Sequence, residues 1–179
     1  MTEREFRIDR TRAAGEFGFL RLEELDVATP SGTVQRIAVR HPGAVAIVAV
    51  HTDAVLLIRQ YRAAIDAALL EIPAGKLDVA GEPPELTAAR ELEEEVGYKP
   101  GRLVHVSDFV TAAGFSDERM SLFFATELTA VGASPHGPEE EAADVTSVPM
   151  ADVPALLASG EIEDAKTLIG LQWLLLQDR

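Results

Sequence analysis

Residues 75–98 read GKLDVAGEPPELTAARELEEEVGY. Within them, Arg90-Glu91-Leu92-Glu93-Glu94-Glu95 packs its glutamates into about one and a half helical turns. Like charges three or four residues apart on a helix repel, at roughly 0.2–0.5 kcal/mol per pair. Glu91 stands at that spacing from both Glu94 and Glu95, so their carboxylates share one face. A hard divalent cation reverses the sign of the interaction, because Mg²⁺ takes oxygen ligands. The bland alternative is a solvated face. Such a face usually interleaves lysines, whereas Arg90 is the only cation between Pro83 and Val96. Gly75 and Gly81 in the entry loop permit tight turns that bring backbone close to a ligand. The stretch reads as a metal-binding helix.

Its ends are marked. Pro83 and Pro84 suit a first helical turn, and Gly97 suits a left-handed cap. Leu86, Ala89, Leu92 and Val96 recur at helical spacing and are expected to form the core stripe. The glutamates then face whatever lies across Pro73-Ala74-Gly75. Working outward, residues 17–28, 33–41, 44–50 and 54–61 have the β-branched, partly alternating look of strands. His41-Pro42-Gly43 and His51-Thr52-Asp53 punctuate them as turns. A short strand over Leu69–Ile72 leads into the loop, and strands near 103–111 and 121–128 follow the helix. Residues 131–143 read as a long loop ending in an acidic run. Two helices close the chain, one opening at Asp152 as N-cap and ending at Gly160, the other from about Asp164 to Gln177. The second is apolar nearly all round and is expected to wedge against a sheet. This order gives an α/β layered fold.

Composition narrows the function. The chain has 179 residues, 47% hydrophobic and 26% charged, enough for one well-cored domain, or one domain with an added arm. No apolar run is long enough to span a bilayer, and the charged start MTEREFRIDRTR holds no apolar h-region, so no membrane is expected and a cytoplasmic location is. The absence of cysteine rules out thiolate metal sites and a cysteine nucleophile. A net charge of −14 argues against nucleic acid as a partner. It leaves room for a small anion held by a metal and a few arginines.

The helix and its entry loop resemble the signature of the Nudix hydrolases: Gly, five residues, Glu, seven residues, then REUXEEXGU, with U aliphatic. Glu82, seven residues, and Arg90 to Gly97 match the second part. Two positions depart from it: six residues separate Gly75 from Glu82, and Tyr98 stands where an aliphatic residue is usual. The resemblance implies a Nudix-type α/β/α sandwich with a mixed β-sheet over residues 41–179, preceded by residues 1–40 as an N-terminal β arm. It implies Mg²⁺, with Mn²⁺ as substitute, held by Glu91 and Glu95 with Glu94 close by and the Ala74 carbonyl completing the shell. Arg90 would pair with a carboxylate and orient the helix, and Glu82 would support it. The general base is expected on the acidic loop, Glu141 first and Glu140 next.

Motifs beyond the helix resemble the branch of the family that cleaves ADP-ribose. They are His41-Pro42-Gly43-Ala44-Val45-Ala46-Ile47, Gln60-Tyr61-Arg62 with Leu70-Glu71-Ile72-Pro73-Ala74-Gly75, Gly114-Phe115-Ser116, and Gly170-Leu171-Gln172-Trp173-Leu174. They imply that Arg62 contacts phosphate, that Glu71 contacts substrate or fixes the loop, and that Gly114, Phe115 and Ser116 belong to a substrate loop. The implied reaction is Mg²⁺-dependent hydrolysis of the diphosphate of ADP-ribose to AMP and ribose 5-phosphate. Ala113 replaces the proline usual in that branch, which keeps other nucleotide sugars and NADH open as substrates. The branch also implies a homodimer through the N-terminal arm. A Nudix-fold isomerase of isopentenyl diphosphate is disfavoured by the missing cysteine. A non-catalytic sensor of ADP-ribose is disfavoured by the complete Arg90–Glu95 cluster.

Overall fold

The computed structural model describes residues 5–134 and 141–177. The chain divides into two compact units, Met1–Gly43 with Phe109–Arg119, and Ala44–Asp108 with Met120–Arg179. The first unit is an antiparallel sheet of β1 (Arg7–Phe17), β2 (Leu20–Thr29) and β3 (Gly32–Arg40). The strand expected over 17–28 is interrupted at its start. Gly18 takes φ 59°, the left-handed conformation, and the chain reverses between Phe17 and Leu20 instead of running through. β1 escapes a hydrophobic reading because it is held by charge and backbone pairing. Arg12 reaches Asp26 at 2.8 Å and Glu24 at 3.1 Å across the strand pair. Residues 109–119 join this unit by pairing with β3: Val39 N–H donates to the Phe115 carbonyl at 2.7 Å, and Asp117 N–H donates to the Val39 carbonyl at 3.2 Å. The Asp117 carboxylate accepts from the His41 backbone N–H at 2.9 Å and from Arg40 at 3.1 Å.

The second unit is built on a seven-stranded mixed sheet. Its members are β4 (Ala44–His51), β5 (Ala54–Arg62), β6 (Ala67–Glu71), β7 (Ala74–Lys76), β9 (Arg102–Val110), β10 (Arg119–Thr126) and β12 (Asp144–Pro149). The order is β12-β5-β4-β10-β9, with β6 on β5 and β7 on β4; β10 runs parallel to β4, and β12 antiparallel to β5. β8 (Tyr98–Lys99) and β11 (Thr129–Ala130) form a separate ribbon. β4 lies at the centre, and its residues Ala44 to Ala49 are all buried, which explains its uninterrupted apolar sequence. Thr52 and Asp53 take φ 47° and 60°, the pair of left-handed residues that a tight β4–β5 hairpin requires.

Alternation along β4 then assigns the layers. Val45, Ile47 and Ala49 pack with α1 (Pro84–Val96) through Ala88, Leu92 and Val96, and Val48 meets the helix Ala165–Gln177 on the other face. A Cβ at Gly170 would stand 2.8 Å from Val48 Cγ2 and 3.1 Å from Ile72 Cδ1, so glycine lets that helix lie close to the sheet. The architecture is the expected α/β/α sandwich with a mixed sheet. The helix Val153–Ser159 is α2 and Ala165–Gln177 is α3.

Two expectations need correction. The buried stripe of α1 is Thr87, Ala88, Glu91, Leu92 and Val96, while Leu86 is 59% exposed. Helix α2 is preceded by a 3₁₀ turn over Met150–Asp152, which leaves Asp152 already helical, at φ −91° and ψ −14°, and making no side-chain cap. Between the acidic run and α2, where the sequence reading assigns no element, Asp144–Pro149 pairs with β5 as β12.

Candidate active site

The site is assembled where α1 crosses the β6–β7 junction. Pro83 is the N-cap in extended conformation and Pro84 occupies the first turn, where a missing N–H costs nothing. Pro83 offers no capping side chain, and the preceding Glu82 faces the first turn. Its carboxylate accepts from the Thr87 hydroxyl at 2.8 Å and from Arg90 at 3.3 Å. These two donors hold the Glu82 carboxyl below the usual range. At the far end Gly97 takes φ 77°, and its N–H donates to the Glu93 carbonyl at 3.0 Å.

Arg90 gathers the acids. Its Nη1 lies 2.9 Å from both Glu91 Oε1 and Glu94 Oε2, and its Nη2 lies 3.3 Å from Glu82 and 3.9 Å from Asp78. Burial opposes the charge of Arg90, but Glu82, Glu91 and Glu94 outweigh it and hold the guanidinium more firmly protonated. Its Nε is buried with no partner among the described residues. Glu95 points to the junction, where its Oε2 accepts the Ala74 N–H at 2.9 Å. Gly75 lies against Glu91 so closely that an added Cβ would fall 1.9 Å from its Cδ. Glu91 and Glu95 thus face Ala74-Gly75, as the sequence suggests, while Glu94 turns to Arg90.

Glu82, Arg90, Glu91, Glu94, Glu95, Ala74 and Gly75 are therefore brought together. All the oxygens on offer are hard donors, carboxylate and backbone carbonyl, which fits a divalent cation of the Mg²⁺ or Mn²⁺ kind. Gly75 adds a cradle that any side chain would fill. Among the described residues, no three acidic or histidine side chains stand ready around a single metal position. Arg90 draws Glu91 and Glu94 to itself, and coordination by them would require their carboxylates to turn.

Arg62 on β5 and Glu71 on the neighbouring strand β6 form a second cluster. Arg62 Nε and Nη2 donate to Glu71 Oε1 and Oε2 at 2.7 and 2.6 Å, a bidentate pair. The Glu71 side chain is 1% exposed and that of Arg62 40%. Lys166, which the sequence reading passes over, also donates to Glu71 Oε2 and lies 3.0 Å from Asp164. Burial pushes the Glu71 carboxyl up, yet the bond from Arg62 and the charge of Lys166 outweigh burial and hold it down. Asp164 meanwhile caps α3, its Oδ2 accepting from Thr167 N–H at 2.9 Å and Thr167 Oγ1 at 2.6 Å. The spacing Asp164-x-x-Thr167 is a legible cap; a lysine inside an apolar helix was the signal for Lys166.

The other candidates fall elsewhere. Gly114, Phe115 and Ser116 belong to the first unit, with Phe115 exposed and the Ser116 hydroxyl accepting Glu118 N–H at 3.2 Å. Glu141 is exposed, and Glu140 lies outside the described residues. No helix among the described residues is long and apolar enough to cross a membrane.

Comparison with known proteins identifies the family and the fold. Residues 39–170 match the NUDIX domain. The chain is 41% identical to an ADP-ribose pyrophosphatase of Bacillus subtilis, over 86% of this chain and 83% of that protein. It is 40% identical to an ADP-ribose pyrophosphatase of Mycobacterium tuberculosis, over 96% of this chain and 84% of that protein. Its fold superposes on the crystal structure of an ADP compounds hydrolase with a TM-score of 0.82, at 25% identity, covering 100% of this chain and 99% of the other. Hydrolases of this family generally use a divalent metal. By its α1 signature, its sandwich and these matches, the chain belongs to the NUDIX family and is a hydrolase.

Proposed function

We propose that this enzyme hydrolyses the diphosphate of ADP-ribose, giving AMP and ribose 5-phosphate, with Mg²⁺ as its metal and Mn²⁺ as substitute. The observation that carries the reading is the apposition of Glu91 and Glu95 on α1 to the Ala74–Gly75 backbone, with Arg62 on an adjoining strand. The names of the two ADP-ribose pyrophosphatase relatives support the substrate. Glu91, Glu95, Glu94 and the Ala74 carbonyl would hold the metal. When bound, Mg²⁺ supplies charge neutralisation at the diphosphate and activation of water. Arg62 matches phosphate oxygens and orients the diphosphate, and Glu71 aims Arg62. Arg90 keeps Glu91 and Glu94 on one face of the helix and anchors them to Glu82. Gly114, Phe115 and Ser116 form the substrate loop, and Glu141, or Glu140 beside it, takes the proton of the attacking water.

The protein works as a cytoplasmic homodimer through residues 1–40, where Ile8, Phe17, Phe19 and Ile37 leave apolar surface exposed. Light scattering on the full chain against one lacking the arm tests this. A second reading rests on Ala113: a looser loop there would admit other nucleoside diphosphate sugars or NADH. The deciding experiment is a phosphatase-coupled screen of nucleoside diphosphate derivatives with Mg²⁺ and Mn²⁺. ADP-ribose should rank among the best by kcat/KM; a better nucleotide sugar would move the enzyme to the second reading.

A further inference from the structure

Lys166 is a buried cation that the reaction described above does not use. It reaches back from α3 to Glu71, 95 residues earlier, and shares that carboxylate with Arg62. Asp164 stands 3.0 Å away on its other side. The set Arg62, Glu71, Lys166 and Asp164 is thus two cations and two anions, and it is electrically balanced. One residue beyond Glu71 the same helical turn makes a second attachment, for Ile72 N–H donates to Thr167 Oγ1 at 2.9 Å. Two residues beyond that, Ala74 N–H is held by Glu95, and Gly75 lies on Glu91. The first turn of α3 is therefore bolted to the β6–β7 segment, which carries the partner of Arg62 at the end of β6 and the backbone facing α1 at the start of β7.

We propose that Lys166 is a positioning residue for substrate binding, which fixes the Glu71 carboxylate and takes up part of its charge so that Arg62 keeps attraction to spare for an anionic diphosphate. The inference rests on the reading that Arg62 contacts the substrate phosphates. A carboxylate shared between two cations binds each less completely than a carboxylate serving one. Without Lys166, Glu71 would draw wholly on Arg62 and leave a net negative charge beneath the bound anion. Glu71 is too buried for water to screen that change. The effect is on holding the substrate, in the ground state and transition state alike, so it belongs in KM and not in kcat.

The test is a double-mutant cycle on the full chain with ADP-ribose and Mg²⁺, using Lys166→Met, Arg62→Gln and the pair, with Lys166→Arg as the conservative variant. Expected for Lys166→Met is a rise in KM of about tenfold, with kcat changed less than about twofold. Lys166→Arg should return KM most of the way, and the pair should be no worse than Arg62→Gln alone. An unchanged KM in Lys166→Met beside a raised one in Arg62→Gln overturns the proposal and leaves the reading of Arg62 standing. Equal Lys166→Met effects in both Arg62 backgrounds also overturn it, because the lysine would then act independently of Arg62. A normal KM in Arg62→Gln overturns the reading of Arg62 and the proposal with it. If Lys166→Met melts below the assay temperature, Lys166→Gln, which keeps a donor for Glu71, is measured against the same criteria.

Discussion

Arg90 and Glu71 are each an ion enclosed by opposite charge, and their surroundings differ in balance. Arg90 is one cation among Asp78, Glu82, Glu91 and Glu94, with Glu95 one helical turn beyond Glu91. Glu71 is one anion between Arg62 and Lys166, with Asp164 completing a neutral set. In the first cluster the acids named outnumber Arg90; in the second the charges named balance, and Glu71 and Lys166 are buried while Arg62 reaches solvent. An incomplete cluster is a place to bind something, and a complete one is a place to hold something still. On the proposed reading, neighbouring stretches of one chain supply metal affinity and rigidity separately, joined at the Ala74–Gly75 backbone.

The difference is tested most strongly by removing acids from the incomplete cluster. Glu94→Gln together with Glu95→Gln should lower kcat by more than the roughly 10–100-fold that loss of an outer partner of a metal ligand costs. The metal-free fold should be as stable as wild type or slightly more so, since like-charge pairs on α1 are relieved. Phosphate release and thermal melting without metal check both halves. Unchanged release would end the metal-catalysis reading.

Glu71→Gln should do the reverse and act on stability first. It removes the anion between two cations, and Lys166, 8% exposed, has little water to turn to. Breaking a buried pair from one side costs about 3–5 kcal/mol, and the low end applies because Arg62 can reach solvent. Urea denaturation at neutral pH measures this. A loss no larger than that of a surface substitution would show the second cluster to be less complete than its geometry states.

Gly75→Ala probes the joint. The added methyl would overlap Glu91 Cδ, Cγ and Oε1 at 1.9 to 2.2 Å, so either Glu91 or the β7 backbone must move. Displacement by about 1 Å can cost roughly a hundredfold in rate. The expected outcome is that order of loss in kcat with a raised metal requirement, read from a Mg²⁺ titration of activity. Retention of full activity would separate Glu91 from the metal.

The incomplete cluster is legible in the sequence because its parts lie within one helix and its entry loop, where spacing alone fixes which residues share a face. The complete cluster is only half legible. Arg62 and Glu71 stand close in the chain, but Lys166 pairs with Glu71 across 95 residues, and its place in an apolar helix marks the lysine without naming its partner. Helix α1 shows the same limit at finer scale. Leu86 looked like core by periodicity, yet Thr87 took the buried place because its hydroxyl donates to Glu82. β1 falls within the expected N-terminal β arm but shows no strand periodicity, because its residues are almost all exposed and its pairing relies on backbone bonds and on Arg12 with Glu24 and Asp26.

The smallest expected effect separates the clusters by pH. Glu71 and Glu82 both have carboxyls held below the ordinary glutamate range. A group whose pKa is lower folded than unfolded binds fewer protons in the native state, so it adds stability above its unfolded pKa of about 4.3, and that stability drains away as pH falls through the folded value. Each should therefore steepen the loss of stability below about pH 4.3 and do nothing above it. The two contributions should differ in size. Glu71 is held by two cations away from water, whereas Glu82 is held by a hydroxyl and by an Arg90 that other acids share, at the protein surface. Stability measured from pH 7 down to pH 3 should show a flatter acid limb for Glu71→Gln than for Glu82→Gln, each compared with wild type. Equal flattening would mean that the balanced cluster holds its carboxylate no more tightly than the incomplete one, and the contrast between holding and binding would fail at its root.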